Sequence, residues 1–320
     1  MKISQIRRIQ AQQVQAQRIQ AQRVQAQRTQ ALQTQALRIQ AMRIQAQRIQ
    51  AQRIQALRIQ AQRIQAMRIQ AMRIQALRNK NTKKIDPKQL HRNKCLSRLP
   101  LIRKKTIKEF GDKTNHKETV CIEFRELPHI EFLIRNTILK LSDWNHTIVC
   151  GKNNYNMINR ICDDIHTNTS SRIKIIKLDI TNILPPEYSK LLMTTTFWDN
   201  FIGEKILIYQ EDSMLFHNNI QPFLQYDYVG APWTSKEVGN GGFSLRSKSI
   251  MKLCIEKNTN NSNLELPEDV FFFYIMRDEN LGKMCPYKIA KTFSQEDVMS
   301  INPLGGHRFW QSGNNLDNKW

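Results

Sequence analysis

Glycine is scarce in this sequence, with eleven in 320 residues. Three of them, Gly239, Gly241 and Gly242, nevertheless fall within four positions of the stretch 238-VGNGGFSLRS-247. Glycine concentrates where a chain turns tightly or where its backbone must pass close to something else, so this stretch marks one or the other. Acids are missing from the first third. Residues 1–108 hold 26 Lys and Arg and a single acid, Asp86, whereas residues 109–320 hold 23 Lys and Arg against 26 Asp and Glu. The formal charge of +22 therefore describes a basic arm joined to a nearly neutral body. The six cysteines form no Cys-x-x-Cys pair. That argues against a zinc site or a disulfide framework and for reduced, buried thiols. No apolar run reaches membrane-spanning length, and the basic N-terminus lacks the apolar core of a secretory signal. A soluble, intracellular chain is the expectation.

What the arm does have is a repeat. From about Ile9 to Arg78 the pentapeptide I-Q-A-Q-R recurs, with Ile or Val every fifth residue except at Thr29 and Thr34. Ala, Gln, Arg, Leu and Met favour helix, and no Gly or Pro interrupts them. Five residues advance a helix by about 140° beyond a full turn. Successive isoleucines therefore do not align, and no heptad seam forms. A pentapeptide β-solenoid wants a small inward residue followed by a large one, and here the order is reversed. A helical or partly disordered basic arm remains. Such near-perfect copies also arise by simple repeat expansion, so a solvated tail without selected function stays open. If the arm acts, its uncompensated arginines would bind nucleic acid or another acidic surface without sequence preference. Residues 79–108 continue the basic bias through Pro87 and Pro100 and read as a linker.

Residues 109–320 form the body, long enough for one substantial core. Strands are predicted at 119–124, 146–151, 172–178 and 205–210, with a shorter one at 226–233. Helices are predicted at 130–141, 155–165, 187–201, 247–257 (with Ser247 as cap) and 267–276. The alternation predicts an α/β fold, a mostly parallel Rossmann-type sheet flanked by helices. Ligands of such sheets bind at the strands' carboxyl ends. That rule singles out Glu211 and Asp212, which follow the fourth strand. Adjacent carboxylates there suit a hard cation such as Mg2+ or Mn2+, although a solvated acidic pair explains them as well. Glu268 and Asp269 open the helix after Pro267, where acids also answer the helix dipole. His307 follows a Gly pair near the C-terminus.

In order, 123-EFREL-127, 197-FWDNFIGEKILIYQEDSMLF-216, 226-YDYVGAPW-233, 238-VGNGGFSLRS-247, 267-PEDVFF-272 and 302-NPLGGHRFW-310 carry a resemblance. Over about residues 118–310 the body resembles an uncharacterised domain family common in giant DNA viruses and also found in bacteria and eukaryotes. That family is grouped with glycosyltransferases of the GT-A fold. The resemblance implies a GT-A-like fold, a nucleotide-sugar donor, and an acceptor that is a glycan, protein or lipid. It implies a divalent metal, Mn2+ or Mg2+, held by Glu211, Asp212 and His307. The family pattern is Asp-x-Asp, whereas here Ser213 follows Asp212 with no second Asp. It further implies a glycine-rich loop from Gly239 to Phe243 and an acidic pair, Glu268 and Asp269, with Asp269 as the base of an inverting transfer. Trp233 and Phe243 could pack on sugar faces or simply in the core, and the fork of Arg246 could hold a phosphate or pair with a nearby acid. Host cytoplasm or virion would be the setting if the chain is viral. A catalytically inactive sugar-nucleotide-binding scaffold, tethered by its arm, fits the same residues. Sequence-specific DNA binding does not, because the basic excess lies in a repeat with no recognised module.

Overall fold

The computed structural model describes residues 86–258 and 265–312, together with scattered positions between 15 and 65 that are all helical and exposed. The rest of the pentapeptide arm lies outside the described residues, and with it the choice between helix and disorder for the whole repeat. The chain divides into two compact units, residues 1–81 and 82–320.

The second unit begins with a correction. Within the stretch expected to be a linker, Pro87–Arg103 forms helix α1. Asp86 caps it by accepting the Lys88 N–H, and Pro87 takes the first turn, where its missing N–H is no loss. His91, Cys95, Leu99 and Ile102 recur at helical spacing and are buried, so α1 is part of the core. After it come β1 (Lys117–Ile122), α2 (Ile130–Lys140), β2 (Asn145–Cys150), α3 (Tyr155–His166) and β3 (Lys174–Lys177). The predicted helix 187–201 is two shorter ones, α4 (Pro185–Leu192) and α5 (Thr195–Trp198), and β4 (Lys205–Tyr209) then runs to the acidic pair. The remainder comprises β5 (Ser213–Leu215), β6 (Tyr228–Pro232), β7 (Val238–Ser247), α6 (Lys248–Lys257), α7 (Glu268–Asp278), α8 (Tyr287–Phe293), β8 (Ser294–Gln295) and β9 (Gly305–His307).

The main sheet has the order β3-β2-β1-β4-β7-β6. The first four strands are parallel, and β7 runs antiparallel to both β4 and β6. A second sheet, β5-β9-β8, packs beside it. Strand alternation divides the core into two layers. Cys121, Leu207, Tyr209, Phe243 and Leu245 face α1, α2, α3 and α8, whereas Val120, Ile122, Ile206 and Ile208 face α4, α5, α6 and α7. The mixed α/β fold with a mainly parallel sheet flanked by helices is thus the one expected. All six cysteines are buried and unpaired. Among the described residues no helix is long and apolar enough to cross a membrane. Ser247 stands at the N-cap of α6 without capping it. Its hydroxyl donates instead to Asp227 at 2.6 Å and accepts from Lys205 at 2.7 Å.

Between β1 and β2 sits a buried imidazole. His146 Nε2 lies 3.1 Å from the Leu141 carbonyl, which can only accept, so Nδ1 accepts from the Thr119 hydroxyl at 2.7 Å. Burial pushes His146 down to about 3. The neutral ring is the folded form, so its contribution is complete above the unfolded value near 6.5 and is lost as pH falls from there toward 3. Chemical denaturation of wild type and His146→Gln should therefore give a stability difference that shrinks by about 2 kcal/mol between pH 7 and 5. A difference that stays constant would mean that the ring accepts a proton in the folded state.

Candidate functional site

Strand β4 is apolar and central, and the chain leaves it at Gln210 to place Glu211 and Asp212 at its carboxyl end. Both carboxylates are buried, and burial alone would raise their pKa values. Positive and hydrogen-bonding partners reverse that. Glu211 Oε1 meets Lys88 Nζ at 2.5 Å, Arg92 Nη2 at 2.9 Å and Arg125 Nη2 at 3.2 Å, and Oε2 meets Arg92 Nε at 3.2 Å and His129 Nε2 at 3.1 Å. Asp212 Oδ2 meets Lys88 Nζ at 3.2 Å, and Oδ1 meets His307 Nε2 at 3.2 Å. Despite burial, hydrogen bonds from His129 and Arg92 hold Glu211 far below the usual carboxylate range, and His307 and Lys88 do so for Asp212. Arg125 also forks onto Glu123, at 2.8 Å through both Nε and Nη2.

His307 is brought in by β9, which pairs with β5 so that Ser213 stands opposite it. Its Nδ1 lies 3.1 Å from Glu296 Oε1, an ion-pair contact without hydrogen-bond alignment. Burial would lower its pKa, but the carboxylates of Glu296 and Asp212 on either side outweigh that and raise it to about 10.

This arrangement does not fit a divalent ion. A metal needs open carboxylate lone pairs and an imidazole nitrogen free to coordinate it. Here each oxygen of the pair faces a nitrogen, and both nitrogens of His307 face carboxylates. Among the described residues no group of three or more His, Cys, Asp or Glu side chains is disposed to hold a metal. A divalent ion roughly 4 Å from one fixed cation would meet about 8 kcal/mol of repulsion at an effective dielectric of about 20. The metal set expected at Glu211, Asp212 and His307 is thus brought together as an internally neutralised ion-pair cluster.

The glycine stretch also departs from expectation. Gly239 to Phe243 is not a loop but part of β7. Between Val229 and Ala231 two steps of β6 stand against five of β7, from Leu245 to Asn240, so the strand bulges at 241–244. Such bulges bend a strand and re-aim what it carries. The bulge presses backbone onto side chains of the site itself. A Cβ on Gly241 would lie 2.2 Å from Glu268 Oε1, and one on Gly242 would lie 2.3 Å from His307 Nδ1. Gly239 has φ +137°, and its carbonyl accepts from Tyr228 Oη. What approaches these glycines is the protein's own chemistry.

Glu268 and Arg246 are committed to each other. Arg246 is fully buried and binds Glu268 through both Nη atoms, at 2.7 and 3.0 Å, while its Nε donates to Ser244 at 2.9 Å. Its fork is therefore spent inside and not offered to a phosphate. Phe243 is core, packed on Phe293 with ring centroids 5.3 Å apart. Trp233 is half-buried, edge-on to Phe273, and its buried Nε1 has no partner. Asp269 opens α7 beside Glu268, is buried, and accepts its own helix's Val270 N–H at 2.9 Å. Sequence reasoning passed over Lys88, Arg92, His129 and Glu296, and it quoted Glu123 and Arg125 in 123-EFREL-127 without giving them a role. For Lys88 and Arg92 the available signal was their four-residue spacing behind an Asp-Pro cap. A cavity of about 580 Å³ lies elsewhere, lined by Leu99, Arg103, Glu131, Met157 and Asp164 among others, and touches none of the predicted site residues.

Residues 172–307 match the model of a family described as "Protein of unknown function (DUF5672)". The match begins just before β3, so α1, β1 and β2 lie outside it. No curated protein matches the chain. Among the solved structures similar to this chain are the following three. HddC from Yersinia pseudotuberculosis is 11% identical with a TM-score of 0.32, over 42% of this chain and 79% of that one. The glycosyltransferase GlyE of Streptococcus pneumoniae TIGR4 is 12% identical with a TM-score of 0.35, over 51% and 44%. The inositol-1-phosphate CTP transferase from T. maritima is 8% identical with a TM-score of 0.41, over 64% and 94%.

The contact of Gly242 with the His307 ring predicts overpacking. Gly242→Ala should destabilise the fold by about 1–3 kcal/mol. Gly242→Ala/His307→Ala should lose less than the sum of the single variants, because removing the ring makes room for the methyl. Additive losses in denaturant unfolding would show that the glycine serves something other than the ring.

Proposed function

We propose that residues 109–320, together with helix α1, form a glycosyltransferase that moves a sugar from a nucleotide-sugar donor to an acceptor hydroxyl with inversion. The observation that supports this reading is contiguity. The bulge of β7 holds Glu268 against Gly241 and His307 against Gly242, and His307 in turn reaches Asp212 at the end of β4. The acidic opening of α7 and the acidic pair of the central strand thereby border one region, although 56 residues separate Asp212 from Glu268.

In this reading Asp269 is the catalytic base. Of the two acids, Glu268 is held in a buried bidentate pair with Arg246, and withdrawing it would leave that guanidinium uncompensated. The resemblance assigns the proton to Asp269, the other acid at the start of α7. Asp269 accepts the acceptor's hydroxyl proton as that oxygen attacks the anomeric carbon. The bond from that carbon to the donor phosphate breaks, and the nucleoside diphosphate leaves with the electron pair. Arg246 and Glu268 set the position of the helix start that carries Asp269, and no step is assigned to them.

Asp269→Asn removes the proton acceptor at nearly constant shape. Across a panel of nucleotide sugars and acceptors, transfer should fall by about 100-fold or more, with the donor-induced thermal shift unchanged. Transfer close to wild type in this variant would remove Asp269 from the mechanism. Absence of transfer and of any donor-induced shift in the wild type would overturn the reading as a whole.

A further inference from the structure

We propose that Lys88 and Arg92 stand where the resemblance places a divalent metal, as resident counter-cations of Glu211 and Asp212, so that α1 belongs to the site and the folded site binds no divalent ion. The inference rests on the proposed reading only in treating the pair as the donor end of a transferase. The ion pairing itself does not depend on it.

Three observations carry it. Every carboxylate oxygen of the pair is engaged, and the two residues from α1 account for contacts to both acids. Lys88 bridges Glu211 at 2.5 Å and Asp212 at 3.2 Å, while Arg92 lies along both oxygens of Glu211, at 2.9 and 3.2 Å. The layering is also one-sided. The side chains of Glu211 and Asp212 are 2% and 10% exposed, those of Lys88 and Arg92 32% and 22%. An ion arriving from solvent meets the cations first, and a metal is repelled before it reaches a lone pair. Finally, the helix is anchored independently of the pair. Cys95, Leu99 and Ile102 are buried in the core, and Arg103 forks onto Glu131 at 2.7 and 2.5 Å. Lys88 and Arg92, four residues apart, are thus presented on one stretch of a helix that packing holds in place. Admitting a metal would require moving two side chains whose backbone is fixed.

The chain's own residues thereby do what a metal does structurally, holding two adjacent carboxylates in a buried position. A positioning role of this kind predicts a gain, not only a loss. Mn2+ binding to the full chain can be followed by the electron paramagnetic resonance signal of the free ion, with no donor or acceptor present. Wild type should show no saturable binding at the site. Lys88→Ala/Arg92→Ala should bind Mn2+ saturably, at least about tenfold more tightly than the weakest binding the wild-type titration would detect, and adding Asp212→Asn should reverse that gain. Wild-type binding abolished by Asp212→Asn would overturn the proposal. So would a folded double variant that gains no affinity, since the cations would then not be what excludes the metal. Should circular dichroism show the double variant unfolded, Arg92→Gln with Lys88 intact provides the gain-of-binding test, and the wild-type titration stands without any variant. A negative transfer assay with these results intact would remove the proposed activity and leave the counter-cation assignment in place. Wild-type Mn2+ binding with transfer intact would do the reverse.

Discussion

Two adjacent carboxylates buried at the end of a central strand have to be neutralised. An ionised acid removed from water is costly unless positive partners and hydrogen bonds replace its hydration. Glu211 and Asp212 stand in that position because β4 is flanked by strands on both edges and its carboxyl end opens under helices. Much of the surrounding structure answers that one constraint. Helix α1 contributes Lys88 and Arg92, and the loop after β1 contributes Arg125, itself braced by Glu123. The residue before α2 contributes His129, and the small second sheet delivers His307 with Glu296 behind it. Segments far apart in the chain are tied to the same few atoms.

The glycines belong to the same economy of space. A strand carrying ordinary side chains at 241 and 242 would drive a Cβ into Glu268 on one residue and into His307 on the next. The bulge in β7 brings backbone to those groups, and glycine permits the approach. The buried Arg246–Glu268 pair lies at the same place and adds a constraint of its own. Breaking it from one side would cost about 3–5 kcal/mol by leaving a charge uncompensated. The glycine stretch and the acidic opening of α7 are therefore one packing unit, joined by the Arg246–Glu268 pair.

Much of the scaffold was legible from residue order. Runs such as 205-KILIYQ-210 are apolar on both faces, as a strand buried between two helical layers must be, and 130-IEFLIRNTILKL-141 carries helical spacing. Helix α1 was not legible. Its charge matches the repeat before it, and Pro100 reads as a breaker, although here it sits inside a helix that continues to Arg103. Its buried stripe of His91, Cys95, Leu99 and Ile102 is sparse and half polar, so composition outweighed periodicity. Strands β8 and β9 span two and three residues and have no sequence signature of their own. In the candidate site the acids and His307 were legible as residue types at strand and helix ends. Their partners were not, because pairing depends on distance across the fold and not along the chain.

By itself, then, the sequence determined the division into a basic arm and a near-neutral body, the α/β alternation, the order of the parallel strands' segments, and the ends at which chemistry collects. These follow from composition and local periodicity, which act over a few residues. Tertiary structure decided what the collected groups are to one another. It turned the expected metal ligands into an ion-paired cluster, chose for Arg246 the nearby acid over the phosphate, and made the expected ligand loop a bulged strand pressed on the protein's own side chains. The physical reason is that a charge's role depends on which opposite charge shares its low-dielectric surroundings. Lys88 and Glu211 become partners only when a helix and a strand 123 residues apart in sequence are packed together.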